Sequence, residues 1–231
     1  LSGVEVRERL HNMTRLFSYT IPCDDGAAPN PFGGICTLAI CKPAIRRVAQ
    51  QGDWIVGLGS KRAPSGDLSG RVVYAMEVTE VLSLQEYDRV ARTKWPQRIP
   101  DLTSPERSRW LGDCIYDYSS GAPIQRPGVH SSMNVETDLG GKNALVSENF
   151  YYFGKRAIPL KESLKAICHQ TQGHRSTANQ PFFEEFVDWI KQRHRPSGEP
   201  EPGRLPNVDF IRRCGGCRPR KDDGETDREC S

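Results

Sequence analysis

The sequence predicts an α+β domain built as a small mixed or antiparallel β-barrel with capping helices, and three observations carry that expectation. Residues 16–21 and 71–81 alternate in the period-two manner of strands with one face turned inward. Residues 52–60, Gly-Asp-Trp-Ile-Val-Gly-Leu-Gly-Ser, stop a short helical segment, run as a strand and open into a loop carrying Lys61 and Arg62. Beyond Pro181, apolar residues recur at helical spacing.

Taken in order, residues 1–12 have little core character and are expected to be an N-terminal extension, with Met13 as a natural start. Phe17, Tyr19 and Ile21 then share one strand face, which Pro22 and Asp24-Asp25-Gly26 bring to an end. In residues 28–34, Ala-Pro-Asn-Pro-Phe-Gly-Gly, the prolines stiffen the loop and the glycines let it turn. A strand over 35–40 follows. Pro43 suits the first turn of a short helix running to Gln50, with Arg46 and Arg47 on its surface. Residues 71–81 pair back on 53–58, with Val72, Tyr74, Met76 and Val78 on one face and Val73, Ala75 and Thr79 on the other.

Ser83 with Glu86 three residues later is a capping box, so a helix holding Leu84, Tyr87 and Val90 starts there. Residues 95–143 are irregular, with 115–118 as their main ordered stretch, and a long irregular segment inside one domain suits a functional surface. Strand character returns at 143–147 and 149–154, and 161–168 reads as helix. A stronger helix runs from Asn179-Gln180-Pro181 to about His194, with Phe182, Phe183, Phe186, Val187 and Ile190 as the stripe that caps the barrel or covers a sheet. From Pro196 the chain is dense in Pro, Gly and charge, and too poor in apolar residues to offset ordering, which predicts a disordered tail. The expected organisation is therefore extension (1–12), domain (13–195) and tail (196–231).

The formal net charge is only +3, which does not by itself mark a polyanion binder, although residues 13–195 hold 23 Lys/Arg against 19 Asp/Glu. The eight cysteines are unevenly spread and follow no secretory leader, which predicts a reduced, cytoplasmic chain. No apolar run reaches membrane-spanning length. Cys214-Gly215-Gly216-Cys217 is one CxxC with Cys230 trailing, and without a second pair it predicts no metal site.

Four blocks together carry a resemblance: Leu16-Phe17-Ser18-Tyr19, residues 28–34, residues 52–60, and Thr137-Asp138-Leu139-Gly140-Gly141-Lys142-Asn143 through Phe150-Tyr151-Tyr152-Phe153-Gly154. Over residues 13–195 the chain resembles the nucleotide modification associated domain 2 family. That resemblance implies a part in DNA base hypermodification as modifier, recogniser or companion of the machinery. The Gly-Asp-to-strand pattern also looks like that of PUA, ASCH and EVE barrels, which implies a PUA-like fold holding RNA or modified bases.

Recognition of nucleic acid, DNA above all, or of a modified base is the favoured reading. A displaced base needs a flat wall, polar groups at its edge and cations along the strand. Phe32, Trp54, Tyr151 and Tyr152 can supply walls, although strand aromatics commonly fill cores. Asn30, Asp117, Asn134 and Asp138 can address the edge, and Lys61, Arg62, Lys142 and Arg46 the phosphates. The runner-up is an enzyme of base modification, with Asp117, His130 and Asp138 as its catalytic candidates; His169 and His174 also enter that reading, but they stand five residues apart around Gly173 and not one helical turn. A third reading is a protein-interaction module contacting other modification proteins. No HExxH, GxxxxGK[ST] or GxGxxG spacing occurs, so no metal, nucleoside triphosphate or dinucleotide cofactor is expected.

Overall fold

The computed structural model describes residues 14–168 and 173–198. Its strands are β1 (Leu16–Ile21), β2 (Cys36–Leu38), β3 (Trp54–Gly59), β4 (Arg71–Glu77), β5 (Glu80–Ser83), β6 (Tyr116–Asp117), β7 (Ile124–Gln125), β8 (Asn143–Ser147), β9 (Asn149–Tyr152), β10 (Ile158–Pro159) and β11 (His174–Arg175). Its α-helices are α1 (Pro43–Arg46), α2 (Leu84–Thr93), α3 (Val135–Gly140) and α4 (Phe183–Arg193). The Ser83–Glu86 capping box forms in both directions and starts α2 where the sequence places it.

The strands form two open sheets and a small antiparallel β6–β7 pair, which corrects the expected barrel and with it the PUA-like fold. The main sheet runs β10-β4-β3-β1-β11, with β9 also on β4, and the second runs β2-β8-β5. The short β11 lies at one edge of the main sheet, β9 and β10 at the other, and among the described residues nothing pairs them. Alternation had suggested closure, but it reports only that a strand has two different faces. Here both faces of the main sheet are buried under different layers, whereas the strands of a small barrel enclose one core. Phe17, Tyr19, Ile55, Tyr74 and Met76 pack with Cys36, Leu38 and Leu145 of the second sheet. On the other face Trp54, Val56, Ala75 and Tyr151 pack with Phe186, Val187 and Ile190 of α4. The outer side of the second sheet, at Ala144 and Val146, is covered by Leu84, Tyr87 and Ala91 of α2. The layers thus run α4, main sheet, second sheet, α2.

One bulge changes the predicted facing in β4. The β3–β4 register pairs Gly57 with Tyr74 and Leu58 with Val72, so Val73 is the additional residue. Val73 joins Tyr74 and Met76 between the sheets while Val72 turns to the α4 side, reversing the assignment of these two valines by strict alternation.

β1 and β3 are parallel, so the chain must leave the main sheet and return between them. That crossover contains β2 and α1 and brings residues 39–42 to the end of the second sheet. Ile40 packs there with Leu111, Ile115 and Tyr116 from the irregular segment. After α4, Ser197 docks on β9: its amide donates to the Phe150 carbonyl at 2.6 Å and its Oγ accepts the Tyr152 amide at 2.9 Å. The expected extension over residues 1–12 and most of the expected tail lie outside the described residues. Among the described residues no helix is long and apolar enough to cross a membrane.

Candidate active site

The junction between β2 and α1 is sharply bent. Cys41 and Lys42 have φ of 56° and 41°, a left-handed conformation that side chains with a Cβ seldom adopt. Pro43, next in the chain, disfavours the right-handed helical conformation for Lys42. The bend is held from both sides: Asp138 Oδ1 accepts the Cys41 amide at 3.0 Å, and Arg46 Nε donates to the Cys41 carbonyl at 2.6 Å.

At this bend the Cys41 Sγ lies 3.4 Å from His130 Nε2, and His130 Nδ1 lies 2.6 Å from Asp138 Oδ2. A carboxylate facing Nδ1 keeps the proton on that nitrogen and leaves Nε2 to accept from the thiol. Asp138 is fully buried, His130 is 9% exposed, and Cys41 is half-buried, so Cys41 is the most exposed residue of the row. A nucleophile, a base within reach of it and a third group orienting the base constitute the arrangement needed for covalent catalysis.

The surrounding groups fix this row. Tyr116 donates its hydroxyl to Asp138 Oδ2 at 3.1 Å, and burial followed by the Asp138 charge pushes that hydroxyl's pKa up, keeping it a donor. Arg46 is fully buried, and its Nη1 and Nη2 donate to the carbonyls of Asn143 (2.8 Å) and Asp138 (2.6 Å). Gln125 holds the His130 loop by donating to the carbonyls of His130 and Ser131 at 3.2 and 2.9 Å. The Lys42 ammonium sits 4.7 Å from the Tyr19 ring centre, setting a positive charge on the residue beside Cys41. Burial raises the pKa of Asp25, and the Ala27 amide hydrogen bond and His130 oppose that rise.

Of the three catalytic candidates in the sequence, His130 and Asp138 meet and Asp117 does not join them. Asp117 pairs with Arg92 at 2.5 Å and Arg126 at 3.3 Å, and hydrogen bonds from Ser119 and Arg92 hold its pKa well below the ordinary carboxylate value. Cys41 was missed because a lone Cys-Lys-Pro has no diagnostic spacing. The available signal was a cysteine two residues before a helix-opening proline, the context of a strained strand-to-helix turn.

The ligand candidates are dispersed. Asn30 is buried, donating to the Leu111 carbonyl at 2.8 Å while its Oδ1 accepts from Phe32 N and Arg98 Nη1. Phe32 packs beside it against Leu111 and Ile115. Trp54 and Tyr151 stack on each other under α4, on the opposite face of the main sheet from the second sheet. Tyr152 lies between the sheets, with its hydroxyl on Asp24 Oδ2 at 2.7 Å. Asn134 is buried and caps the short turn it ends, with its Oδ1 accepting the Ser131 amide at 3.0 Å. Lys61 and Arg62 are exposed on the 60–70 loop, and Lys142 is exposed at the α3–β8 turn with φ 61°. His174 packs against Phe17 with ring centres 5.6 Å apart. His169 and the tail cysteines Cys214, Cys217 and Cys230 lie outside the described residues. Among the described residues no group of three His, Cys, Asp or Glu is arranged to hold a metal ion.

Comparison with curated proteins and with solved structures finds no match. The model of the nucleotide modification associated domain 2 family matches residues 13–205, which contain every residue of the row just described. The chain belongs to the nucleotide modification associated domain 2 family.

Proposed function

We propose that this protein is an enzyme of nucleotide modification that acts by covalent catalysis, with Cys41 as nucleophile, His130 as acid and base, and Asp138 as the group orienting His130. One observation carries the reading: the 3.4 Å Cys41–His130 contact continued by the 2.6 Å His130–Asp138 contact. Membership of the family supports the nucleotide part, and the geometry supports the enzyme over the recognition module that the sequence favoured.

The chemistry open to this row is group transfer. His130 Nε2 takes the thiol proton as Cys41 Sγ bonds to an electrophilic carbon such as an acyl carbon. The bond from that carbon to its leaving group breaks, and His130 returns the proton to the departing atom. An acceptor, either water or an amine of the nucleotide, then gives a proton to His130 as it attacks. The S–C bond breaks and the thiol is restored, so no oxidant or reductant is required.

Site-resolved mass spectrometry after limited iodoacetamide treatment tests this reading. Cys41 should label faster than Cys36, Cys114 and Cys168, whose thiol pKa values burial raises. His130→Gln should slow Cys41 labelling by about tenfold or more at neutral pH. Equal labelling of Cys41 and Cys168 that ignores His130→Gln would remove the catalytic assignment.

A further inference from the structure

A cavity of about 260 Å³ opens beside the turn that follows β1. Ile21, Leu68 and Val73 give it apolar walls, Pro64 and Ser65 of the 60–70 loop cover one side, and Asp24 and Lys155 are its charged groups. At ~30 Å³ per water this is room for roughly nine waters, or for one ring system with its sugar at the mouth. The space is too small for a dinucleotide held whole.

The polar groups are arranged for a neutral ligand edge. Asp24 Oδ2 is occupied by the Tyr152 hydroxyl at 2.7 Å, whereas among the described residues Oδ1 has a long contact from the Gly26 amide at 3.3 Å and, as a carboxylate oxygen, can accept another partner. Burial is the main cause raising the Asp24 carboxyl to about 7, with Asp25 adding to the rise, and the Tyr152 hydrogen bond opposes it. A group titrating there can either donate or accept near neutral pH, which suits a heterocycle with adjacent donors and acceptors better than an ammonium ion needing a full counter-charge. Lys155, exposed at the rim, supplies the cation that a sugar phosphate requires.

Asp24 lines the cavity. The carboxyl of its neighbour Asp25 is pushed up by burial, a rise that the Ala27 amide and His130 oppose. We infer that this cavity is the subsite for a single nucleobase, with Asp24 reading its hydrogen-bonding edge, Ile21, Leu68 and Val73 contacting its faces, and Lys155 meeting its phosphate. The inference rests on the nucleotide reading above and adds where the base sits. A free nucleotide and a base turned out of a strand present the same chemistry to this site.

Calorimetric titration of the full chain with dCMP, dTMP, dAMP and dGMP, and with a short single-stranded oligonucleotide of mixed sequence, tests the assignment. Deoxyribose 5-phosphate is the baseless control. At least one base-bearing probe should bind at least tenfold more tightly than the control. Leu68→Trp, which fills the cavity from its covering loop, and Asp24→Asn, which removes its titrating carboxyl, should each weaken that binding at least fivefold. Binding by mononucleotides identifies a free nucleotide as the source, and binding by the oligonucleotide alone identifies a strand. If the control binds as well as the nucleotides, if no base-bearing probe binds, or if Leu68→Trp melts like the parent and both variants bind unchanged, the subsite is overturned. Iodoacetamide labelling of Cys41 in the same variants keeps the two readings separate, because Cys41 does not line the cavity. Fast labelling with failed binding sinks the subsite and spares the nucleophile.

Discussion

Asp138 accepts the backbone amide of Cys41 at 3.0 Å, and with its other oxygen it faces His130 Nδ1 at 2.6 Å. A single buried carboxylate therefore sets both the bend that presents Cys41 and the tautomer of His130. Replacing it by an amide separates these tasks. In Asp138→Asn the one remaining acceptor oxygen can serve Cys41 or His130 but not both, and an NH₂ turned to Nδ1 drives the imidazole proton to Nε2, where it opposes thiol deprotonation. Loss of this orienting carboxylate costs about 10⁴ in turnover in the serine-protease precedent, so Cys41 alkylation should fall at least tenfold here. Stability should drop by about 1–3 kcal/mol from the unsatisfied buried groups. The labelling rate across pH 6–9 is the measurement, and a profile superimposable on the parent's would refute the role given to Asp138.

Two adjacent glycines provide an internally controlled test of the scaffold behind the row. Gly141 has φ of −73°, which any residue accepts, yet a Cβ there would collide with the buried Arg46 guanidinium. Arg46 cannot withdraw without releasing the carbonyls of Cys41, Asp138 and Asn143. Gly141→Ala should therefore cost about 1–3 kcal/mol, as overpacked cores do. At Gly140 a Cβ meets nothing within 4 Å, and the residue ends α3. Gly140→Ala should be neutral or stabilising by up to about 1 kcal/mol. Denaturant melts of the pair give the comparison, and equal midpoints would contradict the packing described for Arg46.

The sequence was most legible where the signals are local. Ser83 and Glu86 specify the start of α2 with four residues, and the stripe from Phe182 to Ile190 specifies a covering helix. Closure of the sheet was not legible, because β1 pairs with β3 across 38 positions of sequence and no turn chemistry records whether the outer strands meet. The site shows the same division. His130 and Asp138 could be singled out as chemically able residues in an irregular segment. Their partner lies 89 residues away from His130 along the chain, and only the parallel crossover brings Cys41 to them. Trp54 and Asn30 mark the opposite case, in which side chains able to hold a ligand are engaged in packing and in the hydrogen bonds around Arg98.

Asp24 gives the protein a defined pH dependence. Its carboxyl is raised from 3.8 to about 7 in the folded state, mainly by burial. The folded protein thus holds this proton more tightly than the unfolded chain does, and the resulting stability is fully present below about pH 4 and lost as pH rises through about 7. For a half-buried group, solvent reduces the effect to the order of 2 kcal/mol. Asp24→Asn cannot lose a proton, so its stability should fall less than the parent's between pH 4 and 7.5. Urea midpoints at several pH values in that window measure the difference, and parallel curves would show that Asp24 titrates normally.

Trp54→Ala separates packing from binding. The indole stacks on Tyr151 with ring centres 6.2 Å apart and meets Phe186 edge-on at 6.3 Å, beneath α4. Truncating a buried Trp costs about 3–5 kcal/mol. The variant should melt much earlier than the parent, while the protein that remains folded retains nucleotide affinity and Cys41 labelling. A selective loss of binding with an unchanged melting curve would instead make Trp54 a ligand wall.

Lys61 and Arg62 should show the converse behaviour, because both are exposed at the start of the 60–70 loop, whose later residues Ala63, Pro64, Ser65 and Leu68 line the cavity. The loop is braced by its own backbone: Leu68 N donates to Ser60 O at 3.0 Å and Gly66 N to Ala63 O at 2.9 Å, so removing two solvated side chains leaves its course intact. The double substitution Lys61→Ala/Arg62→Ala should leave the melting curve within about 0.5 kcal/mol of the parent. If both cations meet phosphates of a bound strand, the slope of log K against log salt should flatten by about 1.4 for single-stranded DNA, with the loss of affinity greatest at low salt. Mononucleotide binding in the cavity should change far less, since the cation at its rim is Lys155. An oligonucleotide titration from 50 to 300 mM salt that returns the parent's slope would exclude this loop from the path of the strand.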